Sequence, residues 1–271
     1  MRELVKLTAV AWSYVKVSLA LRFGFFMSLG ITLLNTWILV NLWDAIRQNS
    51  PEAQAEFTAA ELATYIAVAQ VVSLARMSHA NRQLFYKAMG SVDSGEIAMD
   101  LVRPIDNQVL RYSQWLGVFA VDTLMVALPT WLVFRLTGVI GDPDSGVQAV
   151  LFALSVALGW LVAAGFHYLM AALTIVVTRS PGIHMFRVAV QELLSGGLVP
   201  LSLLPAWLGT LALVFPFHAM VSSPTLIYLG RLEGLDALAA LGVQAAWGVG
   251  MIVAGRFLWM RLVRRVLVQG G

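Results

Sequence analysis

The chain has no cysteine in 271 residues, which excludes a disulfide framework, thiolate metal ligation and a cysteine nucleophile. Lysine is nearly as scarce, with only Lys6, Lys16 and Lys87. None of the three follows a glycine, so the glycine-rich G-x-x-x-x-G-K-[ST] loop that cradles nucleotide phosphates is missing. Charge is sparse overall: 12% of residues are Asp, Glu, Lys or Arg, against about 25% in soluble domains. The four histidines, His79, His167, His184 and His218, show no metal-ligand spacing and are expected to fill core or interface roles. The Ser195-Gly196-Gly197 run lacks the G-x-S-x-G arrangement of a nucleophile elbow and reads as a loosened helix end.

What remains is apolar sequence, with 59% hydrophobic residues in long runs. About 20 apolar residues cross the roughly 30 Å hydrocarbon layer as a helix. The runs predict an all-α polytopic membrane protein that forms a single transmembrane domain over 1–271, with spans at 23–47, 57–78, 112–137, 145–178, 185–201 and 235–260. The stretch 193–230 carries no charge and would make a straight helix of about 57 Å, far longer than one crossing. Pro200, Pro205, Pro216 and Pro224 therefore predict that 202–230 folds back as a re-entrant hairpin before the sixth span.

The positions of the charges orient these spans. With the N-terminus inside, 15 of the 18 basic residues fall in cytoplasmic segments and only Arg47, Arg135 and Arg231 fall outside. That asymmetry predicts two cytoplasmic termini, with 261–271 as a cytoplasmic tail. The acids Asp44, Glu52, Glu56, Glu61, Asp142, Asp144, Glu233 and Asp236 gather at the opposite side. The segment 1–22 has no apolar core followed by a small-residue cleavage site, so a cleaved leader is not expected. Instead Arg2, Glu3, Lys6, Ser13 and Lys16 share one helical face against Leu4, Leu7, Ala11, Tyr14, Val15 and Leu19. Val10 and Val17 interrupt that polar face, but the pattern predicts an interfacial helix.

The longest polar stretch, 79–111, lies between spans 2 and 3. Asp93 and Glu96 have capping-box spacing, which predicts a short helix over 94–101, with Pro104 ending it and Arg103 pushed out of helical geometry. Glu96 and Asp100 stand one turn apart and give it an acidic stripe. A handle for a soluble partner and a solvated capped loop both fit this spacing. Within the spans, Asp122, Gln191 and Glu192 are candidates for a substrate path, because polar and ionisable groups are costly in hydrocarbon. Structural pairing between helices is the alternative reading for each. Asp44 and Arg47 read as a local pair. Trp43, Trp131 and Trp207 at outer ends and Trp115 and Trp259 at inner ends read as interfacial anchors. Gly159 with Ala163, and Gly250 with Ala254, have the small-residue spacing that permits close helix approach.

Five motifs in order, SGEIAMDLVRP at 94–104, SGGLVPLSLLPAWL at 195–208, FPFH at 215–218, SPTLIYLGR at 223–231 and the terminal VQGG, resemble a bacterial branch of the ABC type-2, exporter-type permease family. The resemblance implies six spans, an interfacial N-terminal helix, a coupling helix between spans 2 and 3 and a re-entrant hairpin. It further implies a cytoplasmic (inner) membrane location and two copies of a separate ATPase subunit, with ATP and Mg bound there and no cofactor on this chain. A second permease subunit, identical or paralogous, completes such an assembly. By that similarity Asp93, Glu96, Asp100 and Arg103 are the expected ATPase contacts. Two other readings stay open: an importer of the same build, and a membrane enzyme on lipid-linked substrates that uses Glu192, Asp122 or His218 as acid or base. No catalytic residue and no nucleic-acid partner is expected from the first.

Overall fold

The computed structural model describes residues 22–77, 105–143, 145–173 and 181–269. The expected interfacial helix over 1–22 and the short helix over 94–101 lie outside them, save Arg22. Every regular element among the described residues is helical. In chain order they are α1 (Arg22–Gln48), α2 (Pro51–Glu56), α3 (Ala59–Met77), α4 (Asn107–Asp122), a π-helical turn (Thr123–Ala127), α5 (Leu128–Leu136), α6 (Gly146–Leu173) and α7 (Pro181–Ser195). Then come a 3-10 turn (Leu201–Leu203), α8 (Ala206–Val214), a second 3-10 turn (His218–Met220), α9 (Ser222–Tyr228) and α10 (Gly234–Gln269).

Among the described residues, four helical stretches are long and apolar enough to cross a membrane: Phe26–Gln48, Asn107–Leu136, Gly146–Leu173 and Gly234–Val263. The apolar part of α3, Ala59–Ala75, is shorter, and α7 has 15 residues. Outward-facing side chains such as Ile31, Trp37, Leu124 and Val253 are about half to two-thirds exposed. In water they would form an adhesive belt, whereas in hydrocarbon they cost nothing.

Local chemistry explains the boundaries. Ser50 caps α2 through its hydroxyl to Ala53 N, and Pro51 occupies the first turn, where its missing N–H is no loss. Glu61 interrupts the apolar run of the second span because it belongs to a capping box. Its carboxylate accepts from Thr58 N at 2.9 Å and Thr58 Oγ1 at 2.8 Å, while Glu61 N donates to Thr58 Oγ1. The polar stretch 79–111 gives way to helix within its own bounds, at Asn107, because Asp106 caps α4 at Val109 N. Each of the four prolines picked out in 200–224 sits at a helix start or a break: Pro200 and Pro205 precede helical turns, Pro216 lies between two, and Pro224 is in the first turn of α9.

Ion pairs stand at both ends of the bundle. Arg47 pairs with Asp44 at 3.1 Å, as the local spacing indicated. Arg135 pairs with Asp142, and Arg231 pairs with Glu56 at 3.0 Å and reaches Glu61 at 3.6 Å. All three gather on one end of the bundle, tied together by Thr64 Oγ1 donating to Val139 O and by Tyr228 Oη donating to Gly141 O. At the other end Arg256 of α10 pairs with Asp106 at the start of α4.

The core runs through α3, whose Leu62, Tyr65, Ile66, Ala69 and Val72 are buried against α5, α6, α9 and α1. Helices α6 and α10 pack most closely. A side chain added at Gly165 would meet Met251 Cβ at 2.5 Å, and one at Gly255 would meet a Tyr168 ring carbon at 2.8 Å. Small residues let these two backbones meet. Gly159 also serves close approach, but toward the 3-10 turn: Met220 O lies 3.0 Å from where its Cβ would stand. Gly250, by contrast, faces open space.

Candidate functional site

The site begins where α7 stops. Ser195 Oγ donates to Glu192 O at 3.0 Å and accepts from Gly197 N at 3.3 Å, closing the last turn. Gly196 then adopts φ +83°, a conformation that L side chains rarely take. A Cβ there would also stand 2.7 Å from Tyr65 Oη and 3.0 Å from Ser222 Cβ, so glycine is required twice over.

A break of this kind frees backbone carbonyls that no water in hydrocarbon can satisfy. Here three successive ones are met by side chains from α1 and α3. Gly196 O accepts from Tyr65 Oη at 3.0 Å, Gly197 O from Gln70 Nε2 at 2.9 Å, and Leu198 O from Trp43 Nε1 at 2.9 Å. Gln70 is aimed in turn by Asn35, whose Nδ2 donates to its Oε1 at 3.0 Å. The irregular segment is thus held by a relay of amides, a phenol and an indole. Trp43, expected as an interfacial anchor, spends its N–H on this segment.

Glu192 faces the same place. Its Oε2 lies 3.3 Å, Ser73 Oγ 3.2 Å and Ser195 Oγ 3.4 Å from where a Cβ on Gly197 would be. A carboxylate and two hydroxyls therefore converge on one glycine. Ser73 Oγ is buried without a hydrogen-bond partner among the described residues. Gln191 is 1% exposed and turns the other way. Its Oε1 accepts from Arg187 Nη1 at 3.0 Å, and its Nε2 lies 3.9 Å from Met220 Sδ. The Arg187 guanidinium stands 5.9 Å above the Phe166 ring. Asp122 is buried at a different irregularity, the last residue before the π-helical turn. The structure thus brings Glu192 to the break, turns Gln191 toward Arg187 and Met220, and sets Asp122 at the π-helical turn. Asp93, Glu96, Asp100 and Arg103 lie outside the described residues.

Reading the sequence missed a second polar centre. Gln244, fully buried on α10, donates from Nε2 to Ala219 O at 2.7 Å and Ser155 O at 3.0 Å. Its Oε1 accepts from Ser155 Oγ at 2.9 Å. One side chain thereby ties α6, α10 and the 218–220 turn together. Gln148 does the same further along, donating to Ile227 O and, at 3.4 Å, to Leu232 O. The signal was visible: Gln244 is the one amide in the apolar run 237–255. His218 is also structural, with Nδ1 2.8 Å from Phe215 O and 3.2 Å from Ala212 O.

One tryptophan departs from the anchor reading. Trp115 is 3% exposed and packs against Tyr112 and edge-on to His167, so it belongs to the core. Trp131 donates to Tyr228 Oη at 3.0 Å. Trp207 remains exposed at the start of α8, as an anchor should.

Chemically, this arrangement suits polar recognition inside an apolar body. Its donors are engaged in holding the backbone, and its one carboxylate sits beside hydroxyls. No group of His, Asp and Glu among the described residues is placed to hold a metal ion. The family described as "ABC-2 family transporter protein" matches residues 33–270. No curated protein and no solved structure matches the chain.

Proposed function

The chain belongs to the ABC-2 family of transporter proteins, and from that premise we propose that it is the permease subunit of an exporter whose ATP is hydrolysed on a separate subunit. It is a multi-pass membrane protein of the transport machinery, in a family whose members are generally non-enzymatic membrane subunits. In our reading α1, α3, α4 to α5, α6, α7 and α10 are six crossings in a bacterial cytoplasmic membrane, with both termini in the cytoplasm. The basic-residue asymmetry supports this, as does the pairing of Arg47, Arg135 and Arg231 with acids at one end. Segment 202–230 dips into the outer leaflet without crossing, and 1–22 lies along the inner surface. The short helix over 94–101 engages one of two ATPase subunits through Asp93, Glu96, Asp100 and Arg103. A second permease subunit faces this one across the cargo path.

The observation that carries the reading is the break after α7. A helix interrupted within apolar surroundings, with its carbonyls met by side chains and Glu192 beside them, costs energy that a purely structural bundle has no reason to spend. Movement between inward and outward states would expose Glu192, Gln191 and Ser73 to cargo in turn, and a carboxylate there suits a cargo with a polar or cationic group.

Affinity purification of the tagged chain from its native membranes tests the assignment. An ATPase subunit is expected to come down with the wild-type chain and to be lost on combined Glu96→Lys and Asp100→Lys. Recovery of the chain with no ATPase, or retention by the reversed variant, overturns it.

A further inference from the structure

The break after α7 turns three oxygens toward one point. Its N–H donors are already engaged: Tyr65 Oη, Gln70 Nε2 and Trp43 Nε1 bind the carbonyls of Gly196, Gly197 and Leu198, and Gly197 N donates to Ser195 Oγ. What remains around Gly197 is acceptor. Ser73 Oγ lies 3.2 Å, Glu192 Oε2 3.3 Å and Ser195 Oγ 3.4 Å from the place a Cβ on Gly197 would take, so the missing side chain leaves a cradle between them.

The two hydroxyls keep acceptor capacity in hand. Ser195 is fully buried; its Oγ donates to Glu192 O and accepts from Gly197 N, which leaves its second lone pair. Ser73 Oγ is buried and meets no hydrogen-bond partner among the described residues. A hydroxyl in apolar surroundings costs free energy until something bonds to it. Glu192 supplies the one negative charge of the three groups. Asn35 and Gln70, bonded to each other beside the break, lie near the middle of α1 and α3, so the cradle stands at mid-depth in the bundle.

We propose that this cradle holds a primary ammonium group, the cationic end of the cargo. A primary ammonium has three N–H donors and no acceptor, which matches three oxygens of which one is charged. Its N–H to oxygen contacts run about 2.7–2.9 Å, so oxygens 3.2–3.4 Å from a common centre reach one nitrogen after small side-chain rotations. Other cations fit worse. Magnesium and calcium hold oxygens at about 2.0–2.6 Å and take more ligands than three. A guanidinium is a flat fork of five donors suited to two acceptors side by side, and a quaternary ammonium has no N–H and binds aromatic faces. The proposal rests on the transport reading above for the source of the amine; the chemistry of the cradle does not depend on it.

Thermal unfolding of the full chain in detergent, with n-octylammonium chloride as the probe, tests this, because a ligand of the folded state raises the midpoint. Octylammonium should raise it, whereas octyltrimethylammonium chloride, with the same chain and charge, and potassium chloride should not at the same concentration. Gly197→Ala puts a methyl into the cradle and keeps the carboxylate; it should abolish the rise, as should Glu192→Gln. Ser73→Ala removes an unpaired hydroxyl, so its midpoint without amine should not fall, while the affinity read from the concentration dependence should weaken about tenfold or more, as for a lost hydrogen bond to a charged group. No rise for the wild-type chain, an equal rise with octyltrimethylammonium or potassium, or an unchanged affinity in Ser73→Ala overturns the ammonium site, and the last holds even where the other variants fail to fold. Co-purification of an ATPase with a chain that binds no amine refutes this proposal alone. Amine binding by a chain that brings down no ATPase removes the transport reading and leaves the cradle standing.

Discussion

Replacing Gly196 with alanine tests whether the break after α7 is built as described. An L residue at φ +83° costs about 1–2 kcal/mol against glycine. The added Cβ would also stand 2.7 Å from Tyr65 Oη and 3.0 Å from Ser222 Cβ, overpacking worth about 1–3 kcal/mol. Tyr65 can relieve the contact by swinging away. It then abandons its bond to Gly196 O, a loss of about 1 kcal/mol, and leaves a carbonyl unmet in an apolar site. Either route predicts about 2–5 kcal/mol of destabilisation. Thermal unfolding of the full chain in detergent, followed by the fluorescence of its nine tryptophans, should show a midpoint lowered by on the order of 10 °C. Gly250→Ala is the matched control. It lies in the interior of α10 with nothing within 4 Å of the new methyl, so it should gain up to about 1 kcal/mol of helix propensity. Equal midpoints for Gly196→Ala and wild type, or equal losses for both variants, would refute this account of the break.

Two further outcomes follow from the same contacts. Gln244→Leu keeps the volume of a fully buried side chain but removes three hydrogen bonds, and at about 0.6 kcal/mol for each interhelical bond in a membrane protein it should cost about 2 kcal/mol by the same melting assay. A reporter fused after Gly271 should be accessible only from the cytoplasm and one inserted in 142–146 only from outside, read by sided labelling of intact cells; either result reversed breaks the proposed orientation.

Much of the fold was legible because membranes impose simple rules on sequence. Apolar length marked α1, α4 to α5, α6 and α10, since a crossing needs a fixed number of residues. Pro200, Pro205, Pro216 and Pro224 marked the breaks between α7 and α10, since proline removes a donor wherever it stands. The Asp44–Arg47 pair was legible because both partners lie on one turn. What escaped is long-range. Gln70 meets a carbonyl 127 residues away and Gln244 a serine 89 residues away. An isolated amide in an apolar run signals that some partner exists without saying which. The same holds for Asp106 and Arg256, 150 residues apart, of which Asp106 read only as one more charge in a polar loop. Trp115 shows the limit from the other side: its place near a span end suggested the interface, and the packing of Tyr112 and His167 around it put it in the core. Gln191, Glu192 and Asp122 stood out in the sequence because polar groups are rare in a span, whereas Ser73, which lies beside Glu192 at Gly197, is a short hydroxyl among many.

On the proposed function, the break beside Glu192 is a working site coupled to ATP hydrolysis on a partner subunit. Its most direct test is the ATP hydrolysis rate of the purified permease–ATPase complex in lipid vesicles, comparing wild type with Glu192→Gln. A site that couples the two predicts a complex of unchanged composition and melting behaviour whose hydrolysis rate changes several-fold. An intact complex that hydrolyses ATP at the wild-type rate with Gln at position 192 would contradict it.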